Sequence, residues 1–263
     1  MDLGLKGKVA VVAAASQGLG FAVAEALAAE GARVALCSRD QGRIEAAAED
    51  IRRKTKAEVL PVAADVTRPG DVERFVNAAV ERWGTVHVAV ANAGGPPAKE
   101  FAAITLEEWQ KAVELNLMSA VHLARAVVPR MRAQKWGRLI FLTSVSVKQP
   151  IEGLLLSNSI RSAVAGLSKS LANECARDNV LVNTVCPGYT RTERLEELAE
   201  SLSKQRGVSR EEAVAAWTET IPMGRIGEPR ELAALVAFLA SEPASYITGT
   251  AIAVDGGRTR SLL

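Results

Sequence analysis

Two closely spaced glycines near the amino terminus have the pattern of a phosphate-binding turn. Gly18 and Gly20 follow the apolar run VAVVAA and open a segment of helical period. Glycine lets the backbone approach a pyrophosphate, and the free N–H groups and dipole at a helix start meet its negative charge. The alternative is an ordinary strand-to-helix turn, but the position after a first strand indicates a dinucleotide site. The predicted contact residues are Ser16, Gln17, Gly18, Leu19 and Gly20.

An arginine follows the second β-branched run of the chain. The run covers residues 32–38, and Arg39 comes directly after it. An acidic residue here would bind the ribose hydroxyls and favour NAD, whereas an arginine suits a 2′-phosphate. A solvated arginine at a strand end is the alternative interpretation. Arg39 therefore predicts NADP as the cofactor in preference to NAD.

The elements that position these residues are indicated by the apolar pattern. Short continuous apolar runs alternate with segments of helical period, as in a parallel sheet covered on both faces. The alternation predicts a single doubly wound α/β domain of the Rossmann type over residues 1–263, with helices on both faces. Predicted strands cover 8–13, 32–38, 58–63, 86–91, 138–143 and 181–186, and predicted helices cover 18–30, 41–54, 69–83, 105–131 and 156–177.

One charged helical segment, residues 189–221, interrupts this alternation. It lies between a strand and the final helix–strand unit. Ligands of open α/β sheets bind beyond the carboxyl ends of the strands. An insertion that leaves such an end is therefore predicted to form a small helical lid over the site.

Composition excludes several classes of function. The 32 basic and 30 acidic residues give a net charge of +2, which offers no electrostatic case for a nucleic acid or an anionic membrane as partner. Cys37, Cys175 and Cys186 lack metal-ligand spacing and are predicted to be buried thiols, so no metal site is expected. No signal peptide precedes Lys6 and no apolar run is long enough to span a bilayer, so a cytoplasmic location is expected.

Further motifs lie after the predicted third, fourth and sixth strands. They read Asp-Val, Asn-Ala-Gly and Pro-Gly-x-Thr-x-Thr, and the chain nears its end with TGTAIAVDGG. By these motifs the sequence resembles the short-chain dehydrogenase/reductase family from about residue 5 to residue 257. The resemblance implies cofactor contacts at these motifs, among them contacts to adenine and to the nicotinamide carboxamide, with Ala91 replacing the first asparagine of the family's Asn-Asn-Ala-Gly signature. The residues it places there are Asp65, Val66, Asn92, Gly94, Pro187, Gly188, Thr190 and Thr192.

The same resemblance identifies two candidate catalytic residues. Ser144, in IFLTSVS, matches the family's catalytic serine after the fifth strand. Asn116, in LNLMSAVHL, matches the asparagine that supports a proton relay. Both are expected to hold the substrate oxygen and a water relay.

The glycine-rich turn departs from the family at its first position, where Ala14 replaces a glycine. If this position needs a positive φ, alanine costs on the order of 1 kcal/mol. Otherwise the turn must be slightly reshaped. Either way, the substitution bears on cofactor affinity.

A second departure concerns the family's Tyr-x-x-x-Lys pair. Counting 13 residues from Ser144 reaches Ser157, and Arg161 lies four residues further on. The downstream flank fits the family without a gap, so Ser157 is aligned with the tyrosine and Arg161 with the lysine. Residues at i and i+4 share a helix face, which lets a lysine lower the pKa of a phenol from about 10. An aliphatic hydroxyl is a poorer acid, and Arg161 is expected to hold the ribose.

Two other residues are alternative proton donors. Tyr189 follows the Pro-Gly turn and either points into the site or forms an apolar wall of the pocket. Lys148 lies four residues beyond Ser144 and acts as an acid only if its pKa is depressed; the alternative is a solvated lysine. Tyr246 lies in a stretch that resembles a structural segment of the family.

The sequence therefore predicts an atypical NADP(H)-linked oxidoreductase for a small carbonyl or secondary alcohol, similar to the 3-oxoacyl-carrier-protein reductase-like branch. The alternative is a dinucleotide-binding protein without turnover, used as a sensor or oligomer partner. The resemblance also implies a homo-oligomer, as a tetramer. Its predicted contacts are the apolar face of residues 156–171 and the segments 231–239 and 252–254.

Overall fold

The strands of this protein form one parallel sheet. The computed structural model describes residues 1–262, without the side chains of Gln205 and Arg206; the last residue of the predicted domain, Leu263, lies outside the described residues. The strands are β1 Val9–Val12, β2 Arg33–Ser38, β3 Val59–Ala63, β4 Val88–Ala91, β5 Gly137–Leu142, β6 Val180–Pro187 and β7 Ala251–Val254. Their order across the sheet is β3-β2-β1-β4-β5-β6-β7.

Helices cover both faces of this sheet, which confirms the predicted fold class. They are α1 Gly18–Ala29, α2 Gln41–Thr55, α3 Pro69–Trp83, α4 Leu106–Ala112, α5 Ser119–Ala133, α6 Leu155–Cys175, α7 Glu193–Arg206, α8 Arg210–Glu219 and α9 Pro229–Leu239. Residues of α1, α2 and α9, such as Val23, Ile44 and Val236, join one buried cluster. Residues of α3 and α6, such as Phe75 and Val164, join a second cluster on the opposite face. Both faces of the central strands β1, β4 and β5 are buried, which explains their continuous apolar sequence.

The strand order places a ligand edge at the centre of the sheet. β1 pairs with β2 on one side and with β4 on the other. From β1 the chain therefore adds strands outward in one direction, to β2 and β3, and then in the opposite direction, from β4 to β7. In doubly wound folds this reversal opens a crevice at the carboxyl ends of the strands. The predicted glycine-rich turn leaves β1 at that crevice.

The predicted helix over residues 105–131 contains an irregular turn. Residues Val113–Met118, between α4 and α5, form a π-helical turn that carries Asn116. A turn of this type widens the helix locally and is often found at functional sites. The pattern of apolar residues does not distinguish it from α-helix, so the sequence predicts one continuous element there.

The segment 189–221 forms α7 and α8 with the connections around them. Leu195 and Ile221 are buried in a cluster with Trp217, which gives the segment a small core of its own. The guanidinium of Arg194 donates to the carbonyl oxygen of Pro96 at 2.7 Å, so α7 is tied to the loop that follows β4. The helical insertion is thus present, while its action as a lid stays a prediction.

The predicted subunit contacts need a correction. Leu156, Ile160 and Val164, which form the apolar side of α6, are buried within the chain, so this face is not available to a partner. The side of α6 that faces outward carries small residues, including Ala163 and Gly166. The apolar pattern reflects core packing here, and only the resemblance indicates an interface.

Two further sequence features concern burial. Cys37, Cys175 and Cys186 are all buried free thiols, as predicted. Within residues 1–262, no helix has the length and apolar character needed to cross a membrane.

Candidate functional site

A cleft of about 650 Å³ crosses the carboxyl ends of the central strands. Its volume is in the range of small-molecule and cofactor sites. It is lined by most of the predicted site residues, with two exceptions, Gly20 and Asn116, which lie behind its wall. The predicted residues that line it are Ser16, Gln17, Gly18, Leu19, Arg39, Asp65, Val66, Asn92, Gly94, Ser144, Ser157, Arg161, Pro187, Gly188, Thr190 and Thr192.

The glycine-rich turn has a left-handed residue at its start. Ala14 adopts a φ of 48°, which confirms that this position requires a positive φ. The side-chain amide of Asn92 donates to the carbonyl oxygens of Ala14, at 3.1 Å, and Ala13, at 3.3 Å, and thereby ties the turn to the end of β4. A Cβ on Gly20 would clash with the Ala14 oxygen, so only glycine fits at that position. The turn is therefore formed in spite of the alanine, with local backbone strain.

Two arginines lie at the end of the cleft next to β2. Arg39 and Arg43 are both exposed and line it, and the Arg43 guanidinium donates to Gln17 Oε1 at 3.3 Å. Asp40 caps α2 by accepting from the backbone N–H of Arg43 at 2.8 Å, which fixes the first turn of the helix. Sequence reasoning found Arg39 and missed Arg43. The signal was its spacing, four residues after Arg39 in the first turn of a helix that starts at the ligand edge.

The predicted adenine-side acid is held by its own loop. The carboxylate of Asp65 accepts from the backbone N–H of Thr67 at 3.0 Å and from its hydroxyl at 2.8 Å. The backbone N–H of Asp65 donates to Asp71 at the start of α3. These bonds fix the loop after β3 so that Asp65 and Val66 border the cleft.

Three serine hydroxyls lie close together after β5 and at the start of α6. The Ser144 hydroxyl oxygen accepts from the backbone N–H of Ser146 at 3.1 Å. The hydroxyl oxygens of Ser146 and Ser157 are 3.5 Å apart, and both side chains are buried. Ser144 and Ser157, both assigned to the site by the family resemblance, line the same cleft. Ser146 was not predicted, although it lies two residues from the candidate catalytic serine.

Arg161 lies one helical turn after Ser157 and connects three elements. Its guanidinium donates to the carbonyl oxygens of Thr143 at 2.9 Å, Leu142 at 3.4 Å and Gly94 at 3.5 Å. Burial, followed by repulsion from Arg194, lowers the pKa of Arg161 to about 10. The group therefore stays charged at neutral pH and places a positive charge at the base of the cleft.

Asn116 lies behind the cleft in the π-helical turn. Its side-chain amide donates to the carbonyl oxygen of Gly94 at 2.7 Å, while its buried Oδ1 has no hydrogen-bond partner among the described residues. Asn116 borders a small cavity of about 20 Å³ that Arg161 and Thr143 also line. A space of this size accommodates one water molecule. Asn116 therefore contacts the site through Gly94 and this cavity, and not through the cleft surface.

The alternative proton donors differ in their placement. Tyr189 lines the cleft, but its ring stacks on Trp217 with 4.8 Å between the ring centroids, and its hydroxyl oxygen accepts from Arg258 at 3.4 Å. This arrangement favours a wall of the pocket over a proton donor. Lys148 does not line the cleft, and Tyr246 is fully exposed outside it. Sequence reasoning gave no role to Arg258.

Known proteins match the chain over almost its whole length. Residues 13–259 match the family model described as Enoyl-(Acyl carrier protein) reductase. The granaticin polyketide synthase putative ketoacyl reductase 1 of Streptomyces violaceoruber is 36% identical over 95% of this chain and 92% of that protein. The 3-oxoacyl-[acyl-carrier-protein] reductase FabG of Vibrio cholerae serotype O1 is 35% identical over 97% of this chain and 98% of its own length.

Solved structures agree with these matches. The L-sorbose reductase from Gluconobacter frateurii, complexed with NADPH and L-sorbose, superposes with a TM-score of 0.94 at 37% identity and full coverage of both chains. A variant of the actinorhodin polyketide ketoreductase with NADPH superposes with a TM-score of 0.93 at 32% identity, covering 97% of this chain and 98% of that chain. Identities at this level over whole chains indicate common ancestry together with a common fold.

The strained turn gives a direct test. Replacing Ala14 by glycine should raise the free energy of unfolding by about 1 kcal/mol, because glycine adopts a positive φ without the clash that alanine suffers. Urea unfolding followed by circular dichroism measures the change. The matched control is Ala15→Gly, which removes a buried methyl group from the next residue and should destabilise the protein. If Ala14→Gly destabilised the protein as much as this control does, the conclusion that Ala14 is strained would be wrong.

Proposed function

The chain belongs to the short-chain dehydrogenase/reductase family of NAD(P)-dependent oxidoreductases, and we propose that it interconverts a carbonyl compound and a secondary alcohol with NADP(H). The observation that carries this proposal is the cleft at the carboxyl ends of the central strands, where the strand order reverses between β1 and β4. It brings the glycine-rich turn, two arginines and Ser144 onto one surface. Several relatives are described as ketoacyl or 3-oxoacyl reductases, which supports a substrate of the 3-oxoacyl type or a similar carbonyl compound.

The cleft fits NADP(H) in both charge and shape. The turn at Gly18 has a φ of 60° and no Cβ, so the backbone can approach a diphosphate at the start of α1. Arg39 and Arg43 supply two positive charges next to the second strand, where a 2′-phosphate would lie. When bound, the nicotinamide supplies or accepts the hydride. The remaining residues proposed to hold the cofactor are Ser16, Gln17, Leu19, Gly20, Asp65, Val66, Asn92, Gly94, Pro187, Gly188, Thr190 and Thr192.

We further propose that Ser157 and Arg161 stand where relatives carry a tyrosine and a lysine. The two residues share one face of α6, and both line the cleft. Ser144 and Ser157 would hold the substrate oxygen, and a proton would reach it through water in contact with these hydroxyls. Asn116 would hold a water in the small cavity behind the wall. The N–H groups of Arg161 are directed at backbone carbonyls, so its role is to hold charge and ribose rather than to donate a proton.

A cofactor-binding protein without turnover is the second candidate function, acting as a sensor or oligomer partner. Among the described residues that line the cleft, the one phenol is that of Tyr189, which is engaged by Trp217 and Arg258. A serine hydroxyl is a much weaker acid than a phenol, and loss of a general acid typically lowers a rate by about 10²–10⁴-fold. The residues proposed to hold the cofactor are compatible with both candidate functions, so a measurement of turnover distinguishes the two.

The cofactor preference is testable by calorimetry. The natural protein should bind NADPH at least about tenfold more tightly than NADH, because a charge-assisted hydrogen bond to the 2′-phosphate is worth about 1.5–3 kcal/mol. Arg39→Asp should abolish the preference. Arg53→Asp, an exposed site at the far end of α2, is the control and should keep it. Equal affinity for both cofactors in the natural protein would exclude the proposed role of Arg39.

The replaced pair is testable by restoring it. Ser157→Tyr combined with Arg161→Lys should raise the rate of carbonyl reduction by about 10²–10⁴-fold, and each single change should do less, since the phenol needs the ammonium beside it. NADPH absorbance against 3-oxoacyl thioesters, ketones and quinones measures the rate. Ser159→Tyr, an exposed position on the same helix, is the matched control and should change nothing. Fast turnover that survives Ser157→Ala would show that another acid acts here.

The proposed tetramer is testable by light scattering. The natural protein at micromolar concentration should give four times the chain mass of 27.9 kDa. Gly166→Arg should reduce that mass, because a Cβ at this position meets no atom of its own chain and the added side chain would project from the outward face of α6. A monomer mass for the natural protein would contradict the proposal.

A further inference from the structure

Arg258 lies in the carboxyl-terminal tail and lines the cleft. Its guanidinium carbon is 4.6 Å from the centroid of the Tyr189 ring, and one of its terminal nitrogens donates to the Tyr189 hydroxyl. The next two residues are also fixed. The backbone N–H of Thr259 donates to Asp255 at 2.7 Å, and that of Arg260 donates to the side chain of Gln149 at 2.8 Å. The tail thus holds Arg258 between the α7–α8 segment and the loop that carries Ser144.

Burial raises the pKa of Asp255, while hydrogen bonds from Thr259 and Gly257 and the charge of Arg258 lower it. Among the described residues, however, Arg258 has no carboxylate within ion-pair distance. Its Nε is buried and has no hydrogen-bond partner among them. Asp255, three residues earlier, already accepts from the backbone N–H groups of Gly257 and Thr259. Glu197, which also lines the cleft, is paired with Arg194 at 3.2 Å. The buried Nε is out of reach of a ligand, so an anion in the cleft would be met by the terminal nitrogens of Arg258, which no described carboxylate pairs with.

The positive charges in this part of the cleft have different partners. Arg161 donates its N–H groups to backbone carbonyls, and Arg194 is bound to Glu197 and to the Pro96 carbonyl. Both still contribute positive potential. Arg258 differs from these two arginines in that the described acceptor of its guanidinium is a hydroxyl, that of Tyr189, and the ring of Tyr189 restrains the plane of the guanidinium. A guanidinium fixed in this way matches the planar fork of a carboxylate.

We propose that Arg258 binds a carboxylate on the substrate, so that the carbonyl compound reduced in this cleft is an oxo acid. This inference rests on the proposed function and narrows its substrate class. The carbon chain between the two groups would lie along the apolar side chains of the cleft, which include Val145, Ile151 and Leu154. The carboxylate takes no part in the chemistry: the carbonyl carbon gains the hydride, the carbonyl oxygen gains the proton, and Arg258 sets affinity and orientation.

Calorimetry on the NADPH-loaded protein tests the inference without requiring turnover. The probes are 2-, 3-, 4- and 5-oxohexanoate, the methyl ester of each, and the N-acetylcysteamine thioester of 3-oxohexanoate. At least one acid should bind at least about tenfold more tightly than its ester, as expected for a charge-assisted bidentate contact.

Arg258→Met should remove that difference and leave the affinity for NADPH unchanged. Arg258→Lys, which keeps the charge but not the fork, should retain part of the difference. Arg260→Met, an exposed residue in the same tail, is the matched control and should retain all of it.

The outcomes separate this inference from the proposed function. Equal binding of every acid and its ester or thioester would overturn the inference, as would an acid preference that survives Arg258→Met. A loss of NADPH affinity in Arg258→Met would also overturn it, because the guanidinium would then serve a cofactor phosphate. Acid binding that depends on Arg258, without NADPH oxidation, would support the carboxylate site while the oxidoreductase function fails. Where turnover is present, Arg258→Met should raise KM for the acid far more than it lowers kcat.

Discussion

The guanidinium of Arg161 joins the elements that meet at the end of the cleft lined by Ser144 and Ser157. It connects α6 to the ends of β5 and β4 through three backbone carbonyls, at a place where these strands end. A charge withdrawn from solvent is tolerated only when it is hydrogen-bonded, and these carbonyls meet that condition. The position of Ser157, one turn earlier on α6, and the path of the Gly94 loop both depend on this contact. Loss of Arg161 would therefore remove the donor to the Thr143 carbonyl and weaken the contact between α6 and the end of β5, while the Gly94 carbonyl would keep its bond from Asn116.

The other end of the site depends on how Asn92 holds the glycine-rich turn. Its amide bonds to Ala13 and Ala14 fix the turn against β4, and the close approach of Gly20 to the Ala14 oxygen leaves the backbone little freedom. An alanine in the left-handed region is destabilising, but the surrounding contacts determine the conformation. The two halves of the cleft are thus joined through the loop after β4, since Asn92 serves the turn and Gly94 accepts from Arg161 and Asn116.

Much of the fold follows from local sequence pattern. The alternation of continuous apolar runs with helical segments predicts a parallel sheet covered on both faces, and the glycines after β1 locate the ligand edge. The π-helical turn at residues 113–118 could not be predicted in this way, because the shift in hydrogen bonding leaves no mark on the apolar period. The family resemblance gives Asn116 a role in a proton relay, and the structure places this residue behind the cleft wall, beside the small cavity. Arg43 and Arg258 were missed for a different reason. The spacing of Arg43 after Arg39 places it near the ligand edge but does not reveal its contact with Gln17, and an arginine in a tail has no local signature, so both are located at the site by contacts distant in sequence.

In the proposed function this cleft transfers a hydride with Ser157 at the position where the family resemblance places a phenol. The most direct test uses two samples of NADPH, each deuterated at C4 on one of the two faces of the nicotinamide ring. The natural protein is incubated with each sample and with carbonyl substrates. Mass spectrometry of the alcohol product should show one deuterium at the former carbonyl carbon for one of the two labelled faces. Slow accumulation is sufficient, because the label identifies transfer independently of its rate. Tight binding of NADPH with no deuterium in any product, under conditions in which the Ser157→Tyr, Arg161→Lys protein does transfer the label, would contradict the proposed function and identify a binding protein.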